Sequence, residues 1–307
     1  MRLDDFDPNI NVEDQRGQGG GSGFGGFGGG GGGGLLFGLL PMVFSRFGCG
    51  GVAILLAVLF FFGGGLGMLG GGGGQVGAPT QQVSREKAGS DVASSCSLNA
   101  ESKAACNAFS SADKTWAAIF QREGKQFQQP KLVFYGGNGQ SGCGAAQSAM
   151  GPFYCPRDQG VYLDTSFFAE LADRFGAKGD FAQYYVIAHE FGHHIQNLLG
   201  TSDQVSRIQR SGDEVAGNQA SVKLELQADC YAGVWAAQNR DRLEPGDIEE
   251  GMTAARAIGD DTLQKQSQGR VVPDSFTHGT SAQRMKWLRV GMESGDPNAC
   301  NTFSGAL

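Results

Sequence analysis

The segment DFAQYYVIAHEFGHHIQNLLG, Asp180 to Gly200, decides how this chain is read. Its residues Phe181, Tyr185, Ala188, Phe191, Ile195 and Leu198 recur at intervals of three and four, the spacing that lines one face of a helix. Asp180 has the side chain of an N-cap and Gly200 suits the residue just past a helix end, so the stretch predicts one complete helix. On it His189 and His193 stand four residues apart and project from one face, close enough for both imidazoles to bind one metal ion. Glu190, beside the first histidine, can then take a proton from a water that the metal activates.

An HExxH string arises by chance in on the order of one percent of chains this long. Chance is disfavoured here because the periodicity predicts the helix without the motif, and three of the four histidines, His189, His193, His194 and His278, fall within it. Zinc is the expected metal. Hydrolytic zinc sites use three protein ligands plus water, so a third ligand is needed.

The stretch NQASVKLELQADCYAGVWAAQ, Asn218 to Gln238, also reads as a helix and places Glu225 and Asp229 on one face. Glu225 completes a His2Glu set, and Asp229 can accept the second ring N–H of a ligand histidine. The plainer reading is a pair of solvated surface acids, but Asp229 lies between Ala228 and Cys230 in an apolar stretch, which favours burial. His194 points about a hundred degrees away from His193 and reads as a structural histidine. His278 lies in a loop before a helix for which Ser281 resembles an N-cap. Two roles stand open for it: stabilising the oxyanion of a tetrahedral intermediate, or a local hydrogen bond.

The composition sets the surroundings of this site. A net charge of −7 and a pI near 5.1 argue against nucleic-acid binding, since neutralising phosphates needs clustered Lys and Arg. Of the 52 glycines, 28 precede residue 78. Residues 1–34 end in a glycine run that buries too little apolar surface to offset its ordering entropy, so a disordered tail is expected there. Residues 35–74 form an apolar region whose centre, about residues 51–70, has the length and lack of charge of a single membrane span rather than of a cleaved signal peptide. Arg46 precedes that stretch and the next basic residue is Arg85, which places the N-terminus inside and the bulk of the chain outside a bacterial cytoplasmic membrane. Residues 75–90 read as a linker, and residues 91–307 as the folded domain.

Six cysteines follow the apolar region without CxxC spacing, consistent with disulfides outside the cytoplasm. Cys96 with Cys106, Cys143 with Cys155 and Cys230 with Cys300 is the economical pairing among about fifteen possible. A helix is expected around Ser111 to Glu123, and short strands at Lys131–Gly137, Pro152–Pro156 and Gly160–Asp164. The fold class is therefore α+β, mainly helical, with a small sheet.

HEFGH followed downstream by ELQAD is similar to the gluzincin arrangement of HExxH and a later ExxAD. The whole layout, with a glycine-rich N-terminus, an apolar stretch, HEFGHH, ELQADCYAG and a late DSFTHGTSAQR, resembles the bacterial neutral zinc metallopeptidases. That resemblance implies a zincin-like domain with His189, His193 and Glu225 as zinc ligands and Glu190 as catalytic base. The expected activity is hydrolysis of a peptide or protein substrate, whose strand would pair with a sheet edge between Pro152 and Asp164. The competing expectation is a catalytically silent zinc-binding envelope scaffold, which has no need of Glu190.

Overall fold

The structure is a computed structural model and describes residues 1–4, 6–17 and 91–304. The expected span at 51–70 and linker at 75–90 lie outside the described residues. Among the described residues no helix is long and apolar enough to cross a membrane.

The described chain is mainly helical with a small sheet. It runs β1 (Asn11–Asp14), α1 (Val92–Ser97), α2 (Ala100–Arg122), β2 (Lys131–Phe134), β3 (Asn138–Ser141), β4 (Gly144–Gln147), β5 (Phe153–Cys155) and β6 (Gly160–Leu163). It continues through α3 (Ser166–Asp173), α4 (Asp180–Leu198), α5 (Thr201–Gln209), α6 (Glu214–Gln238), α7 (Asp247–Ala257), α8 (Asp260–Gln268) and α9 (Ser281–Ser294). Four strands make a sheet of order β1-β2-β6-β5, parallel except for β5, while β3 and β4 pair as a separate hairpin.

Strand β1 corrects the expectation of a disordered tail over residues 1–34 for its first part, residues 1–17; residues 18–34 lie outside the described residues. Asn11 to Asp14 pair in register with Lys131 to Phe134, and Met1, Leu3, Ile10 and Val12 are buried in the main core. Asn11-Val-Glu-Asp is too short and polar to signal a strand alone; it is ordered because β2 offers it an edge and the core takes its apolar side chains. The domain therefore comprises residues 1–17 together with 91–304.

Helix caps follow local chemistry. The Asn99 side chain accepts from Ser102 N at the start of α2, Asp213 from Ala216 N at the start of α6, and Thr280 with Gln283 forms a capping box on α9. Four expected boundaries move. Helix α2 begins well before Ser111, and α6 begins at Glu214 rather than Asn218. Thr280, not Ser281, caps α9, because Ser281 Oγ is drawn away to donate to the Arg256 carbonyl. Gly179, not Asp180, stands at the cap of α4, and the Asp180 side chain accepts instead from the amino group of Met1. Gly200 adopts the left-handed conformation foreseen for it, at φ 77°.

The disulfides pair as expected, Cys96–Cys106, Cys143–Cys155 and Cys230–Cys300, the last tying α6 to the C-terminal segment. Helix α6 lies against both α4 and α9, and small residues make both crossings close. A Cβ on Gly192 would come to 3.1 Å from the Ala228 backbone, whereas one on Gly291 would overlap the Cys230 carbonyl and one on Gly233 the Leu288 carbonyl. Gly291→Ala is accordingly expected to push α9 away from α6 and lower stability by about 1–3 kcal/mol, the usual cost of overpacking. Calorimetric melting would show this as a drop of several degrees, whereas Gly212→Ala, at a site with open space but φ 88°, would report backbone strain alone.

Candidate metal centre

Helix α4 carries His189, Glu190 and His193, and α6 carries Glu225 and Asp229; the close crossing at Gly192 and Ala228 brings the two sets together. His189 Nε2 lies 3.1 Å from Glu225 Oε2, and His193 Nε2 lies 3.4 Å from Glu225 Oε1. The two imidazole rings stand edge to face with centroids 4.8 Å apart. Donor atoms of His189, His193 and Glu225 all fall within 4.8 Å of one another.

These distances suit zinc. Two ligands held tetrahedrally at about 2.0–2.1 Å from a zinc ion stand about 3.3–3.4 Å apart, and two nitrogens with one carboxylate oxygen are a donor set that zinc takes. A second acidic cluster, Asp180, Asp247 and Glu250, has donors as close, but it holds the Met1 amino group, 2.7 Å from Asp247 Oδ1.

The outer partners fix which imidazole nitrogen faces the centre. His189 Nδ1 donates to Asp229 Oδ1 at 2.8 Å, leaving Nε2 free for a metal. Asp229 is fully buried and also accepts from Tyr185 Oη at 2.6 Å and from Arg284, through Nε to Oδ2 and Nη2 to Oδ1, both at 2.9 Å. His193 Nδ1 donates to Gln196 Oε1 at 2.8 Å, and Gln196 Nε2 in turn donates to the Leu224 carbonyl. Asp229 thus has the supporting position expected of it. Gln196, Tyr185 and Arg284 were not foreseen. Two of them stood at helical spacing from the ligands, Tyr185 four residues before His189 and Gln196 three after His193; Arg284 ends the DSFTHGTSAQR segment, but no spacing tied it to the metal helices.

Electrostatics follow from this packing. Burial opposes charge on His189, but the Asp229 carboxylate outweighs it and, without metal, pushes the ring up to about 10. For His193 burial again lowers, and Glu225 more than compensates, so its pKa is raised. Glu225 is held well below the usual carboxylate range, since the charges of His193 and His278 exceed the cost of its burial. His189 therefore carries its second proton in the metal-free site near neutral pH, His193 holds its own more tightly than an ordinary imidazole, and a metal must displace them. Zinc loading is expected to release protons and to tighten as pH rises through neutrality, which titration calorimetry in buffers of different ionisation enthalpy would read directly. A proton count of zero would contradict it.

Glu190 is 8% exposed and stands next to His189 on α4. Among the described residues no donor is bound to its carboxylate. His278 is half-exposed; its Nδ1 lies 3.2 Å from Asp260 Oδ1. Asp260 Oδ2 accepts the backbone N–H groups of Thr277, His278 and Gly279, so one carboxylate shapes the whole loop. His194 is structural, as its direction on the helix indicated. Its Nε2 donates to the Gln128 carbonyl at 2.7 Å, Nδ1 accepts from Tyr154 Oη at 3.0 Å, and burial pushes the imidazole down to about 4. Tyr154 also accepts from Asn197, so β5 is fastened to the metal helix. The substrate-edge expectation narrows here. Gly160 and Tyr162 lie on β6, which is paired on both sides, so among the described residues it is β5 that offers an unpaired edge near α4.

Helices α4 and α6 thus set HExxH and ExxAD side by side in a mainly helical α+β domain with a small sheet. The chain belongs to the family described as "Putative neutral zinc metallopeptidase", whose model matches residues 1–303. It is 57% identical over 197 residues to "Uncharacterized protein YpfJ" of Escherichia coli K12, covering 64% of this chain and 69% of that protein. It is 44% identical over 209 residues to "Uncharacterized protein Rv2575" of Mycobacterium tuberculosis H37Rv, covering 64% and 68%. No solved structure matches it.

Proposed function

We propose that the chain is a zincin-like peptidase in which His189, His193 and Glu225 hold one zinc ion. The observation that carries this reading is the convergence of both His Nε2 atoms on the two oxygens of Glu225, at 3.1 and 3.4 Å, with each Nδ1 occupied by an outer acceptor. Bound zinc supplies a Lewis acid for the scissile carbonyl and lowers the pKa of a water towards about 7. Glu190, with no protein donor on its carboxylate, takes that water's proton and passes it to the leaving amine. His278, set by Asp260 beside Glu225, donates from its free Nε2 to the developing oxyanion. The substrate strand pairs with the open edge of β5, whose Tyr154 keeps that edge against α4.

The substrate is a peptide or protein, and the disulfides favour an oxidising compartment. Membrane attachment through residues 51–70 belongs to the proposal with one constraint. Residues 11–14 and 131–134 pair in one sheet, so an N-terminus inside with the domain outside would part hydrogen-bonded strands. The attachment proposed therefore does not cross the membrane once at 51–70, as a single span would, and residues 1–17 and 91–304 share one, oxidising, face.

Incubating the full chain with an unfolded generic protein tests the activity. Cleavage should stop with a chelator and return on adding zinc; cleavage indifferent to the chelator would refute the reading. His278→Ala should lower kcat about 10²–10³-fold, the usual cost of losing an oxyanion donor. An unchanged kcat would leave His278 only its hydrogen bond to Asp260.

A further inference from the structure

We propose that Arg284 is the positioning residue of the metal centre, acting through Asp229 on His189; the inference rests on the zinc reading above and goes beyond it. Arg284 comes from α9, the last helix, yet its guanidinium is 2% exposed beneath the metal site. Four of its N–H directions are used. Nε and Nη2 grip both oxygens of Asp229 at 2.9 Å, Nη2 also stands 3.3 Å from Tyr185 Oη and from His189 Nδ1, whose proton goes to Asp229, and Nη1 donates to the Ile258 carbonyl at 3.3 Å.

The geometry has a chemical consequence at His189. Asp229 Oδ1 is the acceptor for His189 Nδ1–H, so whatever orients and charges Asp229 sets the direction and tautomer of the ligand ring. A buried carboxylate facing an imidazole alone could draw that proton onto itself or rotate away. The fork of Arg284 prevents both, because two parallel charge-assisted bonds fix the carboxylate plane and keep it anionic. Lysine, a single point of charge, can do only part of this.

The same guanidinium spans to the other half of the site. Ile258 lies two residues before Asp260, the carboxylate that shapes the His278 loop, and Arg284 follows that loop by one helical turn. A single side chain thus links the ligand on α4, its support on α6 and the loop that presents His278.

The test uses the full chain with Arg284→Lys, Asp229→Asn and the double variant, plus Leu171→Ala on α3, outside both metal helices, as a destabilised core control. Zinc affinity by chelator competition and the visible spectrum of the cobalt-substituted protein are the readouts. Arg284→Lys is expected to weaken zinc about 10–100-fold, the usual cost of losing an outer partner of a ligand histidine, and to shift the cobalt bands. In the Asp229→Asn background the same change should add little, because both act on one ring. Leu171→Ala should lower the melting temperature without moving either readout. If Arg284→Lys binds zinc like wild type with an unchanged spectrum, the inference is overturned, whatever its stability. Should Arg284→Lys not fold, Arg284→Gln with Asp229→Asn, a neutral amide pair, carries the test: weakened zinc supports the inference and wild-type zinc affinity overturns it. Wild-type protein that takes up no zinc would instead defeat the underlying zinc reading.

Discussion

Glu190→Gln should leave zinc bound at wild-type stoichiometry and lower peptide hydrolysis at least 10²–10⁴-fold, the range that general acid–base catalysis supplies. The expectation follows from the site's division of labour. His189, His193 and Glu225 converge on one point, whereas Glu190 is adjacent to that point, free of protein donors and not part of the cluster. Amide for carboxylate is nearly isosteric, so packing at this 8% exposed position is preserved and only proton transfer is lost. Parallel metal analysis and a cleavage assay separate the outcomes. Full activity in the variant would mean that Glu190 takes no proton and that the HExxH pattern here serves binding alone.

The second large effect is on folding. A chain begun at Asp91 lacks β1, so it leaves the edge of β2 unpaired and removes Met1, Leu3, Ile10 and Val12 from the core. At about 1.5–3 kcal/mol per fully buried apolar side chain, an upper estimate, the loss rivals the 5–15 kcal/mol that stabilises a typical domain. Arg16 goes as well, with its bonds to Asp14, to Ser102 and to the Ser95 carbonyl at the start of the helical region. Such a chain is expected to lack a cooperative thermal transition, and fusing residues 1–17 back through a flexible linker should restore one. A cooperative transition in the truncated chain at the wild-type temperature would show β1 to be dispensable.

What the sequence reveals about this molecule depends on whether the signal is local. The metal helix is legible because periodicity, a terminal glycine and three histidines all fall within Asp180 to Gly200. Glu225 and Asp229 are legible because their helix is apolar around them. Strand β1 is not, since four residues of which only Val12 is apolar acquire a strand only from the partner edge that β2 presents. Arg284 is hidden for the same reason: its purpose is set by a carboxylate 55 residues earlier in the chain. Asp260 is likewise silent, because its Gly-Asp-Asp setting at the head of α8 reads as a helix start and gives no sign of the three N–H groups it gathers from another segment. The disulfides stand between these cases; two join neighbours in sequence, and proximity alone suggested them.

The central claim is that one zinc ion sits between α4 and α6, and X-ray absorption at the zinc edge on the full-length, zinc-loaded chain tests it most directly. The account predicts one zinc per chain, two imidazole nitrogens and oxygen donors at about 2.0–2.1 Å, and the loss of one oxygen donor with weakened binding in Glu225→Ala. Zinc held by sulfur, or a spectrum indifferent to Glu225→Ala, would contradict it.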